Sequence, residues 1–143
     1  MELPVYVTIE EVQRVCTELG LNDWTQLESE VALEEAQRLQ ALTGEEAAQI
    51  PAAAFQQALN VELEHGRQFP SANVTNNHPL LTAKIVLAHL KESLEYYSRL
   101  QVAEFEGDLA KAVRGRDSAK AAQVYAKLAR ARAELAQLEG QQT

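Results

Sequence analysis

Apolar residues recur at helical spacing along nearly the whole chain. Ile9, Val12, Val15, Cys16 and Leu19 form one stripe, and residues three and four apart share a helix face. The preceding "TIEE" is a capping box, with Thr8 accepting from the backbone at Glu11 and the Glu11 carboxylate reaching back. Gly20 is placed to end that helix. "NDWTQLESEVALEEAQRLQALTG" predicts a second helix, capped by Asn22 or Asp23 and leaving at Thr43-Gly44. Its Ala32 and Ala36 permit close helix contact. A second box, "TGEE", opens a short turn. Pro51 then starts a helix that runs to about His65, with Gly66 as its stop. Residues 66–78 are rich in turn formers and read as one irregular segment. Pro79 starts the next helix, and His78 belongs to that helix start rather than to a ligand set. Only "PVYV", residues 4–7, looks extended.

Beyond Leu80 there is no proline. "RGRDS" marks the exit of one long helix and the entry of another, with Gly115 as C-terminal cap and Asp117 as N-cap. Val102, Phe105, Leu109 and Ala112 repeat at intervals of three and four, as do Ala121, Val124, Leu128, Ala131, Leu135 and Leu138. Two such stripes around a tight turn predict an antiparallel helical hairpin. The fold expected is therefore all-α: a core of four to five helices in residues 1–100 and a hairpin extension in 101–143. The hairpin is rich in alanine and thin, so one face should dock on the body or on another subunit. Val102, Phe105, Leu109, Val124, Leu128, Leu135 and Leu138 are the candidate interface.

Composition narrows the role. The 143 residues suffice for one continuous core, and 46% hydrophobic with 24% charged is ordinary for a globular chain. No apolar run approaches the ~20 residues that span a bilayer. "MELPVYVTIEE" has neither the basic flank nor the apolar stretch of an export signal. The single cysteine, Cys16, excludes an internal disulfide and fits a reducing compartment. On the first helix's apolar stripe it reads as a small buried residue. Cytoplasmic location follows, and the "NVT" acceptor at Asn73–Thr75 has no meaning there. The net charge of −8 is uneven: residues 1–70 carry 13 acidic and 3 basic side chains, and residues 71–143 carry 8 and 10. Phosphate binding needs clustered Lys and Arg. The one basic cluster, "KAVRGRDSAK", lacks interleaved aromatics and reads as a solvated helix turn, so no nucleic-acid partner is expected, and no membrane.

Two of the three histidines sit three residues from a glutamate, in Glu62-Leu63-Glu64-His65 and in His89-Leu90-Lys91-Glu92. In helices, Phe55, Leu59, Glu62 and His65 share one face, and Ile85, His89, Glu92 and Tyr96 share another. In both, charge continues an apolar stripe instead of opposing it. Buried charge without a partner costs several kcal/mol in order of magnitude, so inward carboxylates imply partners. Three arrangements fit. The leading one is a polar network of protein groups alone, among Glu62, His65, His89, Glu92 and the Tyr96 or Tyr97 hydroxyl. A divalent metal, iron, zinc or manganese, held by Glu62, His65, His89 and Glu92 is the alternative, since Glu-x-x-His is the unit of di-iron bundles. One unit runs in reverse here, however, and no further glutamates are singled out to complete such a site. A Glu–His acid–base pair is the third. There is no phosphate loop, no nucleophile elbow and no zinc spacing. The residues point away from an enzyme, and no cofactor is predicted.

"ALNVELEHG", "NVTNNHPLLTAKIVLAHLKE" and "EYYSRL" resemble the signature blocks of a small family of bacterial proteins known only as a domain of unknown function. There, E-L-E-H-G precedes N-V-T-N, then K-I-x-L-A-H-L-K-E and a Y-Y pair. The resemblance covers roughly residues 50–100. It implies that Glu64, His65, His89 and Glu92 are motif positions, and it implies no activity. Family members carry a proline just after H-L-K-E. Here Leu94 stands in its place, so one helix is expected from Leu80 to about Val113. The hairpin and the helix around residues 24–42 look like additions to that core, and added amphipathic helix commonly serves assembly. The function expected is that of a non-enzymatic interaction or structural protein, a homo-oligomer or a subunit of a larger assembly. Self-association, or a protein partner, would use the hairpin.

Overall fold

The computed structural model describes residues 4–141. Met1–Leu3 of the leader reading and Gln142 and Thr143 of the hairpin extension lie outside them. Among the described residues every regular element is a helix, as the spacing predicts, and residues 4–7 form no strand. No helix there is long and apolar enough to cross a membrane. The chain divides into two compact units between Lys91 and Glu92; the expected join at 100/101 falls inside a helix.

The first unit opens with α1 (Ile9–Leu19). The Thr8 hydroxyl oxygen accepts from the Glu11 backbone N–H at 3.2 Å, which is one half of the expected capping box; the Glu11 carboxylate accepts from Arg14 at 2.6 and 2.8 Å. At the other end Gly20 adopts φ 63°, and the Leu21 N–H reaches the Cys16 carbonyl at 2.8 Å. That is the left-handed helix exit which glycine permits without strain. Arg38 donates to the Leu19 and Gly20 carbonyls and so covers the same end. Val12, Val15 and Cys16 are buried. Burial pushes the Cys16 thiol up, which matches an inert small residue.

The predicted second helix is half the expected length. α2 spans Leu33–Thr43, and residues 22–32 are turns and irregular chain. Asp23 folds back instead of capping a helix: its Oδ1 accepts from the Thr25 hydroxyl at 2.6 Å and from the Thr25 N–H at 2.9 Å. Such local bonds compete with helix. The rest of the segment bonds to α4 (Ala52–Gln68). The Val31 N–H donates to Asn60 Oδ1 at 2.8 Å, Gln56 Nε2 donates to the Val31 carbonyl at 2.7 Å, and Arg67 donates to the Leu27 carbonyl. Trp24 and Val31 are each 1% exposed, so this irregular stretch plugs the core.

α3 (Glu45–Ala48) is the short turn expected at "TGEE", but Thr43 does not cap it; its hydroxyl donates to the Leu39 carbonyl. Buried Gln40 bridges the turn, donating to the Ala47 and Ile50 carbonyls at 2.6 and 2.7 Å. α2 packs on α3 and α4. The core runs through Leu39, Phe55, Leu59 and Leu63 to Ala83, Val86 and Leu90 of α5 (Pro79–Glu92).

α5 stops at Glu92 and α6 begins at Tyr96 (Tyr96–Arg114), so the helix expected to run unbroken from Leu80 to Val113 is two helices. Ser93 and Glu95 break it without proline. The Ser93 hydroxyl donates to the Glu95 carboxylate at 2.6 Å, and the Glu95 and Tyr96 backbone N–H groups turn back to Ser93. In the second unit α6 packs on α7 (Ser118–Gly140). Arg99 pairs with Glu139 and Arg132 with Glu106, each at 2.6 Å, so the start of α6 lies against the end of α7, the antiparallel hairpin expected. Both pairs are exposed and contribute little stability.

At the hairpin tip the left-handed residue is Arg116, φ 54°, while Gly115 stays near φ −75°. Asp117 caps α7, its side chain accepting from the Lys120 N–H at 2.9 Å. Asp117→Ala is expected to lower the stability of this unit by about 1 kcal/mol, and Asp117→Asn by much less. Thermal melts followed by circular dichroism check it; equal melts for all three proteins would remove the cap from the account.

Candidate functional site

α4 continues through Gly66 to Gln68 instead of stopping at the glycine. The glycine serves a different purpose. A Cβ built there would stand 1.9 Å from Asn77 Oδ1 and 2.7 Å from Asn73 Nδ2. The chain after α4 folds over this bare spot. Pro70–Ala72 form a single 3-10 turn, and Asn76 and Asn77 both take left-handed backbone, φ 47° and 58°. Asparagine is the non-glycine residue that tolerates this conformation best, which is why the loop holds a pair of them.

The asparagine side chains knit the loop. Asn73 Nδ2 donates to Asn77 Oδ1 at 3.0 Å, and Asn73 Oδ1 accepts from the Thr75 hydroxyl and the Asn77 N–H. Asn77 is buried, and its Nδ2 donates to the Leu63 carbonyl of α4 at 3.3 Å. Asn76 Nδ2 reaches the Val7 carbonyl at 2.7 Å, tying in the N-terminal segment. His78 closes the loop as expected: its ring Nδ1 accepts from the Leu81 N–H at 3.5 Å, at the start of α5. Buried His78 is thus a helix-start residue.

Between α4, this loop and α5 lies a cleft of about 230 Å³. Glu62, His65 and Gly66 come from α4; Asn73, Thr75 and Asn77 from the loop; Thr82 and Ile85 from α5. Phe69, Ala72 and Val74 add an apolar wall. Two sequence blocks that looked separate, "ELEHG" and "NVTNN", therefore build one concavity.

The predicted site residues divide. Glu62 and His89 are brought together across the α4–α5 gap, with His89 Nε2 to Glu62 Oε1 at 3.9 Å and side-chain exposures of 32% and 19%. That distance is within ion-pair range for a protonated imidazole and too long for a hydrogen bond. His65 is half-buried in the cleft wall. Glu92 is exposed, against the expectation that it points inward with His89, and the motif residue Glu64 is exposed as well. The face assigned to α5 was displaced: its buried residues are Thr82, Ala83, Val86, Leu87 and Leu90, and Ile85 is an exposed flank. The wider Ala83–Val86–Leu87–Leu90 stripe wins the core, which leaves His89 at its margin. Tyr96 belongs to α6. It stands edge-on to buried Tyr97, ring centres 5.1 Å apart. Among the described residues no three His, Cys, Asp or Glu side chains form a group able to hold a metal ion, so the metal reading gains no donor set.

Of the hairpin residues named as an interface, Val124 and Leu128 are buried, while Val102, Phe105, Leu109 and Leu135 are half-exposed and Leu138 is 39% exposed. Sequence reasoning missed Gly66, Asn73, Asn77 and Thr82 as site residues. The available signal was the run of asparagines in a short loop, which marks left-handed backbone.

Known proteins place the chain as follows. A family model described as "Protein of unknown function (DUF5661)" matches residues 12–106. No curated protein and no solved structure matches.

Proposed function

Because the chain belongs to the DUF5661 family, whose description names no activity, its role has to come from its own residues, and we propose a non-enzymatic interaction protein that receives a ligand group in the cleft beside Gly66. One observation carries this reading: a glycine, two left-handed asparagines and a buried amide network are all spent on shaping one concavity. Strained backbone and close approach of this kind cluster at binding sites. Glu62 and His65 in the wall give it polar groups. A fragment screen by ¹H–¹⁵N NMR tests it. Hits should cluster on the Gly66, Asn73 and Asn77 amides. A library that leaves those signals unmoved at millimolar concentration removes the reading.

Self-association through the hairpin is a second reading, supported by the apolar residues that stay uncovered there. Val113 and Tyr125 are more than 60% exposed, and the Phe105 and Leu135 stripe is only half covered. Sedimentation equilibrium of the full chain should show a dimer or higher species that Tyr125→Asp shifts towards monomer by at least tenfold in Kd. A wild-type chain that stays monomeric at several hundred micromolar ends that reading.

A further inference from the structure

We propose that one long face of the hairpin is a two-fold interface with a second copy of this chain, the two hairpins lying face to face and pointing the same way as one four-helix bundle. This rests on self-association through the hairpin.

The register of α6 against α7 defines the face. Arg99 pairs with Glu139 and Glu106 with Arg132, so the pairing advances seven residues along α6 as it recedes seven along α7. One further step of seven reaches Val113 and Tyr125. Seven residues make about two turns, so the three pairs lie on one side of the hairpin, about 10 Å apart, like rungs. Two rungs are ionic and the third, nearest the tip, is apolar. Val113 and Tyr125 are 61% and 62% exposed, and the four charged side chains are between 44% and 57% exposed. Between the rungs, half-exposed Val102 and Leu109 continue the same face of α6 at spacings of three and four.

Each ionic rung carries opposite charges on its two helices, and that selects both the second copy and its orientation. A two-fold axis parallel to the hairpin sets α6 of one copy against α7 of the other. Glu106 then faces Arg132 of the second copy, Arg99 faces Glu139 and Val113 faces Tyr125, and the symmetry repeats each contact. Turning the second copy end over end would set α6 against α6, with Glu106 against Glu106 and Arg132 against Arg132. Like charges brought face to face cost affinity. The apolar rung has a seat as well. Beside Val113 lies a hollow of about 330 Å³, lined further by Ala112, Arg116, Asp117, Ser118 and Ala121. Helical side chains lean towards the N-terminus of their own helix, so Tyr125 of α7 leans towards the tip. Placed opposite Val113, the tyrosine of the second copy points into that hollow. An exposed aromatic with a pocket to fill is the usual anchor of a protein interface.

The test is a charge swap in the full chain that leaves the rung intact within each hairpin: Glu106→Arg combined with Arg132→Glu. Circular dichroism shows whether the swapped protein keeps its fold; if it does not, Arg99→Glu with Glu139→Arg carries the same test. Alone, the swapped protein should dimerise with a Kd within about threefold of wild type, because every facing pair is still of opposite charge. Mixed with ¹⁵N-labelled wild type and read by native mass spectrometry, it should form mixed dimers roughly tenfold below their statistical share, since glutamate would meet glutamate and arginine arginine. Three outcomes overturn the proposal and keep self-association: a swapped protein that no longer dimerises alone, mixing at the statistical share, or a preference for mixed dimers, which the end-over-end arrangement gives. A wild-type chain that stays monomeric at several hundred micromolar removes both, leaving a different protein as the occupant of the face.

Discussion

Replacing Gly66 by alanine is expected to destabilise the first unit by about 2 kcal/mol, although alanine is the better helix former by about 1 kcal/mol. The added methyl would stand 1.9 Å from Asn77 Oδ1, far inside contact distance. An amide at the end of a free side chain would simply swing away. Asn77 cannot do so cheaply, because it is buried, its backbone is left-handed, and its Nδ2 is bonded to the Leu63 carbonyl. Moving it breaks the bond from Asn73 Nδ2 and leaves buried amide groups unsatisfied, at about 1–3 kcal/mol. Overpacking and lost bonds together exceed the helix gain. Trp24 is the sole tryptophan and lies in this unit, so urea unfolding read by its fluorescence isolates the effect from the hairpin. A fall of about 10 °C in Tm corresponds to this cost for a unit of this size. An alanine variant within about 0.5 kcal/mol of wild type would mean that the asparagine loop does not rest on α4. Double replacement with Asn77→Ala should recover part of the loss, since that removes the clashing atom and its bonds at once.

What could be read from the sequence follows how local the interactions are. Thr8, His78 and Asp117 cap helices that begin at their own positions, and each was placed correctly because a cap involves residues only three apart. The hairpin was legible for the same reason: its stripes and the Asp117 cap are properties of short windows. Residues 22–32 were misread because their hydrogen bonds go to Gln56, Asn60 and Arg67, and no window in sequence contains both ends. Gly66 was misread because glycine ends helices often, and its actual role depends on a side chain eleven positions on. The histidine motifs fall between. Helical spacing brought Glu62 and His89 to the right margin of their helices, yet which of two neighbouring stripes on α5 would be buried depends on the width of each. The candidate cleft was legible only as separate blocks. It needed the left-handed asparagines to bring "NVTNN" against "ELEHG".

Removing the Glu35 carboxylate should be costlier still, about 3 kcal/mol for Glu35→Ala. Glu35 is 6% exposed, on the first turn of α2. Its oxygens accept from the Asn22 backbone N–H and from Trp24 Nε1, the latter at 3.4 Å. These bonds start and anchor the irregular stretch that carries Trp24 and Val31 into the core. Alanine strands both donors and opens a void beside the indole, and the two penalties add. Glutamine keeps one acceptor and turns an NH₂ towards the other donor, so Glu35→Gln should lose about half as much. Exposed Glu34→Ala on the preceding residue should stay within about 0.5 kcal/mol of wild type. Trp24 emission should shift to the red in Glu35→Ala even before unfolding, because water gains access to the ring. The consequence reaches the cleft through α4: Gln56 and Asn60 hold Val31, and Glu62 follows Asn60 by half a turn. Loosening residues 22–32 therefore frees the helix that presents Glu62 and His65, and ligand shifts at Gly66 should weaken along with stability. An alanine variant as stable as wild type, with unchanged tryptophan emission, would show that the carboxylate does not anchor this stretch.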